Sequence, residues 1–383
     1  MKICSVFEEY DLLHVDLNIT NGCNFHCAHC HSSSGTVDDG ELSTDQVINI
    51  IHQVYELGAV SLAIAGGEPF LRKDIGEILA AASALGSMHT VVVTNGSLLS
   101  RERLSRLREI APEVGISISL DGSTPQTFGR IRGRVGASLH SSEALFERVL
   151  ISIKETLLAG FEMSVNFTMT NESLEDLDDT YQLVVKELGV STLLAIKFFP
   201  GGYGRNELDR FDVPWSRWQP YLASLTDRKI NGELPGLQIS LPSAWEFYLP
   251  LIAMGTDLDQ AERIWSNRSP LRYSSFGSSI GDSSGITNLA IGSNGIVYPS
   301  VLVVGDNNCI CGDLTLQSLN DIWRSSSLFK DIRALKAVDI EAECFSCPIV
   351  SMCGGGSRMR AYTDSGSMRG ADASCPMIQH SQT

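Results

Sequence analysis

Three cysteines close to the start of the chain constrain its fold and chemistry more than any other feature. Cys23, Cys27 and Cys30 form a C-x3-C-x2-C motif, which places three thiolates on one short loop. A [4Fe–4S] cluster takes four thiolates, so a cluster on this loop would keep one iron without a protein ligand. Such an iron can bind a small molecule, so the cluster can take part in catalysis and not only in electron transfer. The loop follows an alternating apolar run, residues 13–19, which predicts a strand that ends where the cysteines begin.

Two other kinds of site share parts of this motif. Cys27, Cys30 and His31 match the C-x-x-C-H pattern of covalent haem attachment. That attachment belongs to exported proteins, whereas the first nine residues contain early acids and no apolar signal segment. A zinc site that uses His26, His29 or His31 is the second alternative, although structural zinc usually draws paired ligands from two knuckles.

The composition is that of a globular protein and not of a nucleic-acid binder. The 383 residues are 43% hydrophobic and 19% charged, enough for one large domain and a smaller one. A net charge of −16 argues against nucleic acid as a partner, because such proteins carry a basic stripe. No apolar run approaches the length of a membrane span, so we expect no membrane partner. Ten cysteines without a secretory signal indicate metal ligands in a reducing compartment, and we expect a cytoplasmic location.

Short β-rich runs alternate with helical stretches from residue 12 to about residue 200. The predicted strands are 12–20, 60–65, 90–94, 115–120, 162–169 and 192–199. The predicted helices are 43–58, 71–86, 100–110, 143–160 and 173–189. Units of this kind predict an α/β fold, a partial (β/α)6 TIM-like barrel, whose chemistry lies in the loops at the C-terminal ends of the strands.

The rest of the chain divides into two further parts. Residues 201–285 show no steady alternation and are expected to form a linker with irregular helices, of which the Ser- and Gly-rich end, 274–285, is predicted to be mobile. Residues 286–299 predict a hairpin around an Asn-Gly turn, and a helix is predicted near 316–335. We therefore expect a barrel over 12–200, a linker over 201–285 and a small cysteine-rich domain over 286–383.

Residues 66–69 (Gly-Gly-Glu-Pro) follow the second predicted strand. Two glycines let backbone approach a ligand without a Cβ in the way, and exposed backbone groups can pair with the ammonium and carboxylate of an amino acid. Taken alone, the motif is only a strand-to-helix turn, and its occurrence together with the three-cysteine loop is what favours a functional role.

Together these motifs resemble the radical S-adenosylmethionine (SAM) superfamily. The matching residues are the three cysteines and residues 66–69, 94–96 (Thr-Asn-Gly) and 118–122 (Ile-Ser-Leu-Asp-Gly), in the order of the family. The match covers roughly residues 12–200. Residues 30–35 (Cys-His-Ser-Ser-Ser-Gly) and 40–44 (Gly-Glu-Leu-Ser-Thr) are similar to the mycofactocin maturase group, and less closely to maturases of pyrroloquinoline quinone and haem d1.

The resemblance implies both cofactors and a reaction. SAM would chelate the open iron of a [4Fe–4S] cluster through its amino and carboxylate groups. One electron would cleave its sulfonium C–S bond to give methionine and a 5′-deoxyadenosyl radical, which abstracts a hydrogen from the substrate. The cofactor supplies this chemistry, and the protein orients it and excludes solvent.

The resemblance also implies which residues hold SAM. Gly67 and Glu68 would meet the methionyl amino group, and Ser119 its carboxylate. Arg132 would help to hold the carboxylate, although it fits an exposed surface arginine equally well. The other residues implied to bind the cofactor are Asn95 near the ribose, His29 near adenine, and Gly66 and Pro69 in the same turn. No catalytic acid or base is assigned.

A second group of cysteines lies near the C-terminus. Cys344, Cys347, Cys353 and Cys375 have the spacing C-x2-C-x5-C-x21-C, which suits a closed iron–sulfur cluster or a structural zinc. The pattern resembles the SPASM/twitch-type extension, which binds auxiliary [4Fe–4S] clusters in many peptide-modifying radical SAM enzymes.

The tail departs from the SPASM pattern at the ligands of an inner, second cluster. Ser300 stands where the hairpin cysteine is expected, Ser357 stands at the C-x3-C position, and residues 31–308 contain no cysteine. We therefore expect one auxiliary [4Fe–4S] cluster. Cys309 and Cys311 either replace some of the missing ligands or are free thiols of a loop.

These resemblances favour a radical SAM enzyme that matures a ribosomally synthesised peptide, by cross-linking, epimerisation or oxidative decarboxylation of a terminus. The partners expected are a separate peptide-recognition protein, because no recognition domain precedes the barrel, and a flavodoxin- or ferredoxin-type electron donor. The alternative is a radical SAM enzyme that acts on a small molecule, a tetrapyrrole or an aminosugar. The distant alternative is a non-catalytic zinc-binding interaction protein, although zinc alone does not require residues 66–69 behind the strand.

Overall fold

The computed structural model describes residues 11–132, 139–266, 281–340, 344 and 347–379. Within these residues ten strands form one sheet. In chain order they are β1 His14–Thr20, β2 Ser61–Gly66, β3 His89–Thr94, β4 Gly115–Ser119, β5 Met163–Met169, β6 Thr192–Lys197, β7 Leu237–Ser240, β8 Asn288–Ile291, β9 Ile296–Tyr298 and β10 Gly312–Asp313. The order across the sheet is β10-β9-β8-β1-β2-β3-β4-β5-β6-β7. All neighbours from β8 through β1 to β7 are parallel, whereas β8, β9 and β10 pair antiparallel.

Helices cover the outside of this sheet. The α-helices of the described chain are α1 Thr44–Glu56, α2 Ile75–Ala84, α3 Arg101–Ile110, α4 Pro125–Arg132, α5 Leu139–Leu158, α6 Leu177–Tyr181, α7 Leu208–Phe211, α8 Trp215–Ile230, α9 Trp245–Ala253, α10 Leu258–Trp265, α11 Leu319–Ser325, α12 Ser327–Ala334, α13 Val350–Cys353, α14 Arg358–Ser365 and α15 Pro376–Gln379. Short 3-10 turns are Pro69–Leu71, Leu174–Asp176, Gly202–Glu207, Val301–Val303, Asn307–Cys309 and Ala337–Asp339, and a π-helical stretch, Gln182–Glu187, continues α6. None of these helices is long and apolar enough to cross a membrane.

Helix α1 illustrates why these segments are helical. Its buried residues, which include Val47, Ile51 and Val54, recur at the three- and four-residue spacing of one helix face. Ser43 caps the first turn by accepting a hydrogen bond from the Gln46 backbone N–H, and the Gln46 side chain accepts one in return from the Ser43 N–H.

The predicted α/β fold with its partial barrel is confirmed, and strands β1–β6 lie at the predicted positions. The helix predicted over 173–189 is instead a 3-10 turn, a short α-helix and a π-helical stretch. The predicted hairpin is confirmed as β8 and β9. The helix predicted near 316–335 is two helices, because the chain is extended at Ser326 (ψ 129°).

The region expected to be an irregular linker contains a regular helix, α8, and one strand that the sequence did not predict. Strand β7 pairs in parallel with β6. It has only four residues, and so short a segment shows almost no recognisable alternation of apolar and polar residues. The hairpin continues the barrel sheet, because β8 pairs in parallel with β1. Residues 274–280 of the loop predicted to be mobile lie outside the described residues.

The two faces of the barrel strands differ in chemistry. The side chains of the helix-covered face are large, apolar and almost fully buried: Val15, Leu17, Ile19, Leu62, Ile64, Val92, Ile116, Ile118, Val165 and Phe167. On β1, β2, β4 and β5 the residues of the other face are small or polar: Asp16, Asn18, Ala63, Ala65, Ser117, Ser119, Ser164 and Asn166. Branched side chains usually fill the interior of a barrel. On β3 and β6 the interior face is apolar and carries Val91, Val93, Leu194 and Ile196. The interior of the barrel, here called the chamber, is therefore polar or small-walled along β1, β2, β4 and β5 only, and the strands end at its mouth.

Candidate active site

The cysteine loop begins three residues after β1, at the mouth of the chamber. The Cys23 N–H donates to the Gly35 carbonyl (3.0 Å), and the Cys30 N–H donates to the Cys27 carbonyl (3.1 Å). The Ala28 N–H donates to the Ile131 carbonyl at the end of α4 (3.1 Å). These bonds fold the loop so that its three cysteines lie in one neighbourhood.

The chemistry of these thiols fits iron ligation. Burial raises the pKa of Cys27 to about 12 and also raises the pKa of Cys23, and the nearby Cys30 thiolate adds to both rises. The Phe25 N–H donates to the Cys23 sulfur (3.4 Å). Three partly buried thiolates are costly without a compensating cation, and a bound iron cluster supplies that compensation.

Gly66 and Gly67 bring the second strand end against the chain that leads into the cysteine loop. The Gly67 N–H donates to the Thr20 carbonyl and the Glu68 N–H to the Gly22 carbonyl, both at 2.8 Å. A Cβ would lie 2.2 Å from the Thr20 carbonyl oxygen at Gly66 and 2.1 Å from the Gly22 carbonyl oxygen at Gly67. The close approach that requires these glycines is therefore to protein backbone, and it fixes the start of the cysteine loop.

The Glu68 carboxylate is fully buried and bonded to protein groups. It accepts hydrogen bonds from the Phe70 N–H (3.1 Å), the Thr94 hydroxyl (2.7 Å) and the Asn95 N–H (2.8 Å). Burial raises its pKa, and these donors oppose that rise. The side chain therefore fastens the end of β2 to the end of β3. Pro69, at the start of the following 3-10 turn, is buried.

Asn95 connects β3 to the cysteine loop. Its side-chain NH2 donates to the Asn24 carbonyl oxygen (2.9 Å), and its own oxygen accepts from the Ser97 hydroxyl (2.6 Å). The Asn24 NH2 donates in turn to the Ser97 hydroxyl (2.9 Å). Asn95, which was expected near the ribose, is thus part of a closed hydrogen-bond network of three residues that holds Asn24 in the cysteine loop.

Asp121, just beyond β4, gathers two of the expected cofactor residues. The carboxylate is fully buried, accepts from the Arg132 Nε and the Thr168 N–H, and lies 3.5 Å from the His29 Nε2. The Arg132 side chain is 11% exposed, so the surface-arginine alternative is wrong. Burial lowers the pKa of His29 to about 4, so its ring is neutral at pH 7.

Ser119, the last residue of β4, is in register with Asn166 in the middle of β5, on the chamber side. The Asn166 Oδ1 is buried and has no hydrogen-bond partner among the described residues. A buried acceptor without a donor is costly, and a polar ligand in the chamber would supply one. This part of the wall therefore fits a polar cofactor or substrate.

The Gly-rich segment 201–204 after β6 packs against the cysteine loop, which the sequence analysis missed. The Tyr203 N–H donates to the Cys30 carbonyl (2.9 Å), and the Tyr203 and His26 rings are 5.0 Å apart. A Cβ on Gly202 would lie 2.5 Å from the His31 carbonyl oxygen. The available signal was three glycines in four residues, which often marks a close backbone approach.

The four C-terminal cysteines line a single cavity. Cys344, Cys347, Cys353 and Cys375 share it with apolar groups and Gly355, and Trp245 forms part of its wall. Burial raises the pKa of Cys353 and of Cys375 to about 12. Four thiols in an apolar cavity fit a closed iron–sulfur cluster. The described residues contain no group of three or more His, Cys, Asp or Glu side chains placed to hold a single metal ion.

The two serines at the missing inner-cluster positions act as helix caps. Ser300 accepts from the Leu302 N–H (3.3 Å), and Ser357 accepts from the Arg360 N–H (3.2 Å). Cys309 and Cys311 are buried and do not line the four-cysteine cavity.

Two family models match the chain. The model of the radical SAM superfamily matches residues 17–184, and that of SPASM, an iron–sulfur cluster-binding domain, matches residues 283–348. The first match includes the N-terminal cysteine motif, and the second includes Cys344 and Cys347 but ends before Cys353.

Similar proteins agree with these models. The AdoMet-dependent heme synthase of Methanosarcina barkeri is 28% identical, over 91% of this chain and 91% of that protein. The mycofactocin maturase MftC of Mycobacterium ulcerans is 27% identical, over 93% of this chain and 86% of that protein. Among solved structures, Streptococcus suis SuiB bound to its precursor peptide SuiA has the same fold, with a TM-score of 0.72 and 18% identity over 95% of this chain and 76% of SuiB.

The cofactors follow from these matches. A radical SAM domain uses SAM and a [4Fe–4S] cluster, and a SPASM domain binds auxiliary iron–sulfur clusters. The clustered thiols at both ends of the described chain fit this chemistry. The protein is a radical SAM enzyme, with a radical SAM domain over residues 17–184 and a SPASM domain over residues 283–348.

Proposed function

We propose that this enzyme matures a ribosomally synthesised peptide, by cross-linking it, epimerising a residue or oxidatively decarboxylating a terminus. In this proposal Cys23, Cys27 and Cys30 hold the catalytic cluster, and Cys344, Cys347, Cys353 and Cys375 hold one auxiliary cluster. Gly66–Pro69, Asn95, Ser119, His29 and Arg132 form the surroundings of SAM. The division into a barrel, a connecting region and an auxiliary-cluster domain is part of the same proposal.

The observation that carries the peptide proposal is a polar cleft at the mouth of the chamber. Its walls are Asn18 and Gly66 at the barrel strand ends, the serines 32–34 after Cys30, and residues 292–294 of the hairpin turn. Hydroxyl and amide groups both donate and accept hydrogen bonds, as the backbone of a peptide does. The cleft therefore offers hydrogen-bond donors and acceptors to the backbone amides of a bound peptide.

The serine wall of this cleft is tied to the cysteine loop. Ser33 has a φ of +51°, a left-handed conformation that is uncommon for a residue with a side chain. The Ser32 hydroxyl lies 3.4 Å from the Cys30 sulfur and 2.7 Å from the Ser34 hydroxyl. Strained residues concentrate at functional sites, so this wall is a good candidate for substrate contact.

Charge also favours a peptide over a tetrapyrrole. The described residues that line the cleft include no Lys, Arg or His, and Asp38 is their one charged member. The carboxylates of a tetrapyrrole would need basic partners of that kind. The net charge of −16 disfavours a polyanionic substrate further.

The similar proteins support both candidate substrate classes. The name of MftC and the bound precursor peptide of SuiB favour peptide maturation. The heme synthase of Methanosarcina barkeri, similar over 91% of both chains, favours a tetrapyrrole as the second candidate. A separate peptide-recognition protein remains part of the first candidate.

The test is deuterium transfer into 5′-deoxyadenosine by the reconstituted enzyme. Deuterated precursor peptides encoded beside the gene are compared with deuterated iron-porphyrin carboxylates, each with and without a neighbouring candidate recognition protein. Transfer from the peptide, with a matching change in its mass, supports the proposal. Transfer from the porphyrin alone would replace it with the second candidate.

A substitution in the cleft separates the two candidates further. Ser33→Gly relieves the left-handed strain without adding charge, and Asn294→Arg adds the basic partner that a tetrapyrrole would use. A peptide substrate should lose apparent affinity with Asn294→Arg, whereas a carboxylated tetrapyrrole should gain it.

A further inference from the structure

A groove on the outside of the barrel, between α2 and α3, differs in charge from the rest of the molecule. Its floor is apolar and includes Phe70 and Leu107, and its rim carries Lys73, Arg103 and Arg106. Ile110 at one end of the groove is 42% exposed. An apolar floor with a basic rim is typical of a surface that binds an acidic protein.

The charge contrast is large. The whole chain has 29 basic and 45 acidic residues, but the groove is lined by four basic residues and a single acid, Glu77. One of the four, Arg72, is neutralised by Asp74 at 2.5 Å. Lys73 and Arg106 are exposed, and neither forms an ion pair within the described residues. Three cationic side chains are thus left to face a partner.

The groove is connected to the cysteine loop by a short series of contacts. The Arg103 guanidinium lies 5.7 Å from the centre of the Phe70 ring and donates to the Phe70 carbonyl (3.2 Å). The Phe70 N–H donates to the Glu68 carboxylate, and the Glu68 N–H donates to the carbonyl of Gly22, the residue before Cys23. A protein seated in the groove would therefore be connected to the first cysteine through Phe70, Glu68 and Gly22.

We propose that this groove is the docking surface for an acidic one-electron carrier protein of the flavodoxin or ferredoxin type. The reduced carrier loses one electron, and the cluster on the cysteine loop gains it; no proton or other group is transferred. The basic rim orients the acidic carrier, and the apolar floor holds it beside Phe70. This docking requires only that the cluster be reduced, and it is the same whether the substrate is a peptide or a tetrapyrrole.

The test compares two double variants that remove the same charge. Lys73→Gln with Arg106→Gln removes two of the three rim charges, and Lys330→Gln with Lys336→Gln removes two exposed lysines of the C-terminal region. The binding of an oxidised, acidic flavodoxin to each reconstituted protein is measured at low and high salt. SAM cleavage is measured in parallel with reduced flavodoxin and with dithionite, a small reductant that needs no docking surface.

The rim variant should bind flavodoxin about tenfold more weakly at low ionic strength, with a similar loss of flavodoxin-driven cleavage. Its dithionite-driven cleavage should equal that of the wild type, and the difference in binding should shrink as salt screens the charges. Unchanged flavodoxin binding by the rim variant would overturn the proposal. An equal loss in the control variant would also overturn it, because the carrier would then respond to overall charge or dock near the auxiliary domain.

Discussion

Gly67 lies against Gly22 so closely that a Cβ on Gly67 would stand 2.1 Å from the Gly22 carbonyl oxygen. The same carbonyl accepts the Glu68 N–H, and Gly22 is followed directly by Cys23. The end of β2 therefore sets the position of the first cysteine through backbone contacts, without a side chain between them.

Replacing Gly67 with Ala should displace the cysteine loop. A backbone clash of this size cannot be relieved by a rotamer change, and overpacking typically costs about 1–3 kcal/mol. We expect the variant to fold but to retain about half of the wild-type iron, with SAM cleavage lost. Gly35→Ala is the matched control in the same loop, because a Cβ there would meet nothing within 4 Å. Equal iron in both variants would contradict this role for Gly67.

Iron and sulfide content should reveal two clusters. With one catalytic and one auxiliary [4Fe–4S] cluster, the reconstituted wild type should hold about eight irons per chain. Replacing Cys23, Cys27 and Cys30 with Ala should leave about four irons and abolish 5′-deoxyadenosine formation. The double variant Cys309→Ala with Cys311→Ala should keep both the wild-type iron content and the wild-type rate of 5′-deoxyadenosine formation. About twelve irons in the wild type would mean that Cys309 and Cys311 help to form an inner cluster, and about four would assign the C-terminal cysteines to zinc.

Arg358 should be required for the integrity of the four-cysteine cavity. Its guanidinium is fully buried and donates to the carbonyls of Gly355, Met368 and Gly370, and Gly355 lines the cavity. Arg358→Leu would leave these acceptors without donors, at a cost of about 3 kcal/mol or more. We expect lower thermal stability and selective loss of auxiliary-cluster iron. Arg333→Leu is the control, because Arg333 also donates to carbonyls, but its acceptors Gly285 and Trp323 do not line the cavity. Iron loss in both variants would mean a general effect on folding.

The Arg72–Asp74 pair should stabilise the protein in a pH-dependent way. Arg72 and the Thr44 hydroxyl lower the pKa of Asp74 to about 2, below the value of about 3.9 in an unfolded chain. Because the folded-state pKa is the lower one, the stabilisation is fully present above about pH 4 and is lost as the pH falls towards 2. Asp74→Asn should therefore lower the free energy of unfolding by about 1 kcal/mol at pH 7, as for a partly exposed pair. Urea unfolding at pH 7 and pH 3 measures this, and a difference between variants that grows on acidification would contradict it.

The local sequence pattern was sufficient to predict most strands of the barrel. The run before the cysteines predicts β1 because apolar residues alternate over its length, and the confirmed strand is His14–Thr20. The cysteine spacings likewise indicated iron–sulfur chemistry at both ends of the chain, since ligand spacing is a local property. The short strand β7 was missed, because four residues carry too little periodicity to distinguish a strand from a loop.

At residues 66–69 the local sequence pattern was not sufficient to predict which group lies against the glycines. The sequence indicated a need for glycine at a strand end, either for the approach of a ligand or for an ordinary strand-to-helix turn. In the structure the backbone that approaches is Thr20–Gly22, more than 40 residues away in the chain, and the Glu68 carboxylate is bonded to β3. A glycine and its conformational freedom can be read from a sequence. The segment whose close packing requires that glycine cannot be read from it, because the segment is distant in the chain.

The sequence by itself determined the order of strands β1 to β6, the donor chemistry of the two cysteine groups and the family to which they point. Only the tertiary structure decided that segment 201–204 packs on the cysteine loop, that β8 extends the barrel sheet, and that four cysteines spread over residues 344–375 share one cavity. Periodicity and spacing are set by residues close together in the chain, whereas these contacts join segments that only the folded chain brings together.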